Sequence, residues 1–123
     1  MTIKLKLDVE AAICQKLTMI LKELIGEQVE TATAEVVGDT IIVRFKGVLP
    51  PAERMLAKKE DGMELIKELK EKLIEKIKPL LEQTIKELTG AEVIDIHSSF
   101  NPETGERVEI FTLDKDFKDV FSI

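Results

Sequence analysis

Tryptophan and tyrosine are absent from this 123-residue chain, and cysteine and histidine occur once each, as Cys14 and His97. Each scarcity excludes something. A lone thiol cannot close an internal disulfide, which fits a reducing, cytoplasmic milieu. One histidine and one cysteine fall short of a zinc ligand set, so the reading expects no metal and no other cofactor. The net charge of −6 and a pI near 4.9, together with the missing stacking aromatics, argue against a nucleic-acid partner. No apolar run reaches 18 residues, so no bilayer insertion is expected, and the opening MTIKLKLDVE lacks the apolar stretch of a secretory signal. The six glycines stand singly, without GxGxxG, Walker-type or GxSxG spacing, and an enzyme is therefore not expected. Amides are also few. One Asn and three Gln stand against 15 Lys and 17 Glu, the balance of hyperthermophile proteomes.

What is present is 44% hydrophobic and 34% charged, enough for one domain with one core. Thr2 to Leu7 alternate Ile3, Leu5 and Leu7 with Lys4 and Lys6, which reads as a short strand. Asp8 is positioned as the N-cap of a helix in which Val9, Ala12, Ile13, Leu17, Ile20, Leu21 and Leu24 recur at helical spacing and which stops at Gly26. Val29–Val37 and Thr40–Lys46 read as a hairpin about Gly38-Asp39. Pro50-Pro51 ends that sheet and opens a short helix to about Lys58. Asp61 begins a long helix with an expected stripe of Leu65, Ile66, Leu69, Leu73, Ile77, Leu80, Leu81, Ile85 and Leu88, kinked or broken at Pro79. Strands Ala91–Phe100 and Glu106–Leu113 follow.

The domain thus divides into a first helix–hairpin unit (8–46), a connector with a short helix (47–60), a long helix with a second hairpin (61–113) and a tail (114–123). The two units echo each other at an offset of 64 through the helix end and first strand, and of 67 after the turn, placing Ile41 on Val108 and Val43 on Ile110. On that alignment Ala32, Ala34, Val36, Ile41, Val43, Phe45, Ile94, Ile96, Phe100, Val108 and Ile110 share a greasy face. The fold class expected is α+β: two layers, an antiparallel sheet of about four strands with helices on one face, built from a duplicated helix-strand-strand unit.

The other sheet face would carry Arg44, Asp95, His97, Arg107 and Glu109, the candidate polar-face interaction residues. Asp95 and His97, two apart on one strand, could do acid–base work, although such pairs are more often simply solvated. The run Lys67-Glu68-Leu69-Lys70-Glu71-Lys72 reads as a solvated helix face, and Cys14 as a small core residue. A homodimer is expected, because the apolar side of the N-terminal strand and the tail residues Phe117, Val120 and Phe121 are left over once one core is filled.

The stretch Val43-Arg44-Phe45-Lys46-Gly47-Val48-Leu49-Pro50-Pro51-Ala52-Glu53 resembles the strand and Gly-x-Leu-Thr-Pro-x-Glu signature of the MpsC-type family. Leu88-Thr89-Gly90, Thr104-Gly105-Glu106 and Val108 to Leu113 extend the likeness over roughly residues 10 to 113. Pro50 stands where Thr is usual, and Glu27-Gln28 where Gly-Pro is common. The family carries the name of a sodium-translocating, membrane-potential-generating system. The resemblance implies a soluble companion of a membrane ion or inorganic-carbon uptake protein and supplies no catalytic residues. The reading is a non-enzymatic accessory or regulatory module acting through protein contacts, with a small-ligand sensor as the alternative.

Overall fold

A computed structural model describes residues 2–117, with side chains from residue 6 onward. Its elements are α1 (Thr2–Ile25), β1 (Thr31–Val37), β2 (Thr40–Lys46), α2 (Pro51–Leu56), α3 (Glu60–Thr89), β3 (Val93–Asn101) and β4 (Glu106–Leu113). The four strands form one antiparallel sheet in the order β1-β2-β4-β3, so the two hairpins meet along β2 and β4. Helices α1 and α3 pack on the sheet, α1 over β1 and α3 over β3, and on each other. The fold is α+β.

The core lies between these layers. Ile13, Leu17 and Leu21 of α1 and Ile66, Ile74, Ile77, Leu81 and Ile85 of α3 meet Val36, Ile41, Val43, Phe45, Phe100, Phe111 and Leu113 of the sheet. Burial of such side chains, each worth about 1.5–3 kcal/mol, is what holds α1 and α3 in place. In contrast, α2 buries no residue. Its last residue instead comes close to the backbone at the start of α3. A Cβ on Gly62 would fall 1.8 Å from the Leu56 carbonyl oxygen, so only glycine fits there.

Several expectations are corrected. Residues Thr2–Leu7 are the first turns of α1, not a strand, and Asp8 lies inside that helix. A two-residue alternation of Lys with Leu and Ile over six positions is too short to outweigh continuity with the helical periodicity behind it. Pro79 neither breaks nor splits α3, which runs unbroken for 30 residues. Leu65, Leu69 and Leu80 are exposed rather than buried, while Lys70, Thr84 and Thr89 point inward.

The largest correction concerns side-chain parity in β4. The inward residues are Arg107, Glu109, Phe111 and Leu113, whereas Val108 and Ile110 face outward beside Arg44 and Ile42. Core positions coincide at an offset of 64 between β1 and β3 (Val36 to Phe100) but of 66 between β2 and β4 (Ile41 to Arg107). The second turn is longer by two residues, not three, and an error of one inverts every side chain of a strand. Ile94 also faces out, because the ladder is irregular between Val93 and Asp95.

Candidate functional site

Two polar arrangements stand out, one inside the molecule and one on its open face. The inner one begins at Glu27. Gly26 adopts a positive φ of 65° at the end of α1, and the Glu27 N–H then donates to the Leu21 carbonyl at 3.1 Å. The chain reverses there, and the Glu27 side chain ends beneath the sheet. Arg107 reaches it from β4, its Nε donating to Oε1 at 3.0 Å and its Nη2 to Oε2 at 2.5 Å. The same guanidinium donates through Nη1 to Glu109 Oε2 at 3.2 Å and lies 5.4 Å from the Phe100 ring centre. Ser98 Oγ donates to the other Glu109 oxygen at 2.5 Å. From α3, Lys70 Nζ sits 2.6 Å from Glu53 Oε1 and 3.7 Å from Glu27 Oε2. The Lys70–Glu53 contact is a charge contact without hydrogen-bond alignment.

Glu27, Lys70, Arg107 and Glu109 are all at most 2% exposed. Three carboxylates (with Glu53) and two cations give the network a net −1 when all are ionised. Burial pushes the Glu109 carboxyl above its ordinary range, and the Ser98 and Arg107 contacts only partly offset that. Burial works to lower the Arg107 pKa, but Glu27 and Glu109 reverse it, so the guanidinium is held firmly in its charged form. Bidentate geometry is the arrangement in which a buried ion pair best recovers its desolvation cost. These groups are spent on one another, inside the core.

This corrects the face assigned to Arg107 and Glu109. Arg44, Asp95 and His97 do lie on the open face, exposed as expected. Phe117 packs into the core of its own chain at 6% exposure, its N–H donating to the Gly38 carbonyl. Val120 and Phe121 lie outside the described residues. Lys70, which the sequence reading left on a solvated face, has a legible signal after all: it falls midway between Ile66 and Ile74, four residues from each, on the buried stripe. Glu53 belongs to the signature segment, and Glu27 occupies the position where that segment's family commonly has Gly.

The open face has four strands, and among the described residues no helix lies over it. Its rows run across the sheet as Thr33–Arg44–Val108–Ser99, Glu35–Ile42–Ile110–His97 and Val37–Thr40–Thr112–Asp95. Ile42, Val108 and Ile110 are half-buried among their neighbours, an apolar centre inside a polar border. At one end of the sheet a groove of about 900 Å3 opens between the β3–β4 turn and α2, where Lys46, Arg54 and Lys58 stand among Glu30, Glu103 and Glu106. Among the described residues there is no group of His, Cys, Asp and Glu able to hold a metal ion, and no helix long and apolar enough to cross a membrane.

The model of one protein family, described as "Na+-translocating membrane potential-generating system (MpsC)", matches residues 5–115. The chain belongs to the MpsC family. It is 32% identical over 115 residues to "Uncharacterized protein YbcI" of Bacillus subtilis (strain 168), a match that spans 94% of this chain and 93% of that relative. No solved structure matches it. The match of the MpsC model takes in all but the first three residues of α1 and every later element, including both hairpins and the Gly47–Glu53 segment.

Proposed function

We propose that this MpsC-family chain is a non-enzymatic accessory or regulatory module that acts through protein contacts with a membrane ion or inorganic-carbon uptake system. The supporting observation is the apolar material held in water where α2 meets α3: Met55 and Leu56 on α2 (70% and 51% exposed) and Leu65 and Leu69, one turn apart, on α3 (57% and 41%). Large apolar side chains left in water on two consecutive helices are available to a partner. The buried Glu27, Lys70, Arg107 and Glu109 add to this, because groups at most 2% exposed offer little to a substrate. The family's description supplies the membrane system as the class of partner.

The test is cross-linking in the native cells followed by affinity capture, with the wild-type chain and a Leu65→Glu/Leu69→Glu variant. A membrane transport protein held by the wild type and lost by the folded variant supports the reading. Capture of no such protein, or equal capture by both, overturns it.

A small-ligand sensor is the second reading, favoured by the mixed-charge groove at the sheet end. Native mass spectrometry distinguishes it: a retained small molecule that disappears on Arg54→Ala/Lys58→Ala substitution would favour the sensor.

A further inference from the structure

The open face of the sheet has a property that a solvated face does not need: it is complementary to itself. We propose that two copies of the chain stack by these faces, about a two-fold axis that runs along the strands between β2 and β4. Such a rotation sets β1 against the partner's β3 and β2 against the partner's β4, with each row of residues kept at its own height. In the row Glu35–Ile42–Ile110–His97, Ile42 then faces the second copy's Ile110, and Glu35 faces its His97. One row on, Arg44 lies over Val108 and Thr33 over Ser99. At the end of the sheet Thr31 pairs with Lys46, and Glu106 with Asn101, so Lys46 faces the second copy's Glu106 and Arg44 lies beside it. Asp95 meets Val37 at the corner of the sheet.

The competing axis, across the strands, fails on the same residues. It places Arg44 over Ile42 and leaves Glu35 opposite Thr33, with neither Lys46 nor Glu106 near an opposite charge. Charge on the face as a whole also permits approach. Glu35, Asp95 and Glu106 against Arg44 and Lys46 sum to −1, while the chain carries −6, so most of the negative charge lies elsewhere. Extension of the sheet edge-to-edge is the other way to join copies, and β1 is guarded against it: the Val36 N–H already donates to Glu10 Oε2 of α1 at 2.8 Å.

The size fits. Four strands by seven residues give a platform of about 19 Å by 23 Å from ordinary strand spacing and rise. With side-chain relief, two such platforms bury on the order of 1,200 Å2, the lower end of the range of stable interfaces. The product is a four-layer particle with helices outside and two sheets within. Its helical surfaces, including Leu65 and Leu69, stay free, so this inference stands apart from the functional reading above.

Light scattering at about 100 µM, within the micromolar range typical of modest interfaces, should give twice the chain mass. Lys46→Glu should weaken the dimer by about tenfold or more, and adding Glu106→Lys should restore it, since like charges face to face cost several kcal/mol. Geometry is read separately in a Cys14→Ser background with a short bis-maleimide. Thr33→Cys and Ser99→Cys proteins should cross-link when mixed and scarcely when alone, because facing positions lie about 10 Å apart and like positions about 17 Å. A monomer at that concentration overturns the proposal. So does a dimer in which Thr33→Cys links to itself as readily as to Ser99→Cys, or one in which the charge swap fails to rescue.

Discussion

Arg107 is the side chain on which the interior depends. It bridges Glu27, 80 residues away in sequence, to Glu109 beside it. Removing one member of a buried pair leaves an uncompensated charge in low dielectric, a cost of about 3–5 kcal/mol. Arg107→Met should lower stability by that amount in urea unfolding, a large share of the about 5–15 kcal/mol a domain has. Glu109 should behave in the opposite sense. Its folded-state pKa lies above the unfolded one, so the stability it contributes is fully present below the ordinary carboxylate range and is lost as pH rises through the folded value. Glu109→Gln should therefore be more stable than wild type at pH 7 to 8, with the advantage shrinking as pH falls toward about 4. A variant less stable than wild type at both ends would show that ionised Glu109 is a net support of Arg107. Neither residue could be assigned to the core from the sequence, since nothing in Glu-Arg-Val-Glu-Ile distinguishes the apolar set from the charged set as the inward one. The pairing that decides it comes from Glu27, in a different part of the chain.

At the scale of elements, the helices and all four strands of the sheet were legible because their patterns are long or sharply punctuated. Strands Thr40–Lys46 and Glu106–Leu113 have the expected bounds, and Gly26 and Gly90 end the long helices as glycines in the left-handed conformation do. The start of α1 was not legible, because Ile3, Leu5 and Leu7 satisfy a period of two. The weakest element is α2, with no buried residue and a tie to α3 through Glu53 and Lys70. Lys70→Met should leave global stability nearly unchanged. Methionine fits the space, Glu53 is a quarter exposed and can turn to water, and Glu27 keeps its bond to Arg107. The loss should be local. Hydrogen exchange should accelerate across 51–56 while the core strands remain protected, and unchanged exchange in α2 would show that backbone packing against Gly62 suffices to hold it.

For the molecule as a whole, the layers, the strand count and the family were readable in advance, while the strand faces were not. Placing a hairpin in sequence needs only its turn residues and flanking pattern. Choosing its inward face needs the length of the turn to the residue, and across the Asn101–Glu106 turn a difference of one residue exchanges the two faces of β4. Both the buried network and the self-complementary face rest on that parity, so it is the point to test. With Cys14 replaced by Ser, a single cysteine at Ile110 or at Glu109 can be labelled with a maleimide at sub-micromolar protein, where copies are apart. Ile110→Cys should react at close to the rate of a free thiol, and Glu109→Cys only through unfolding, orders of magnitude more slowly. Fast labelling at 109 with protection at 110 would place Val108 and Ile110 in the core and contradict the account.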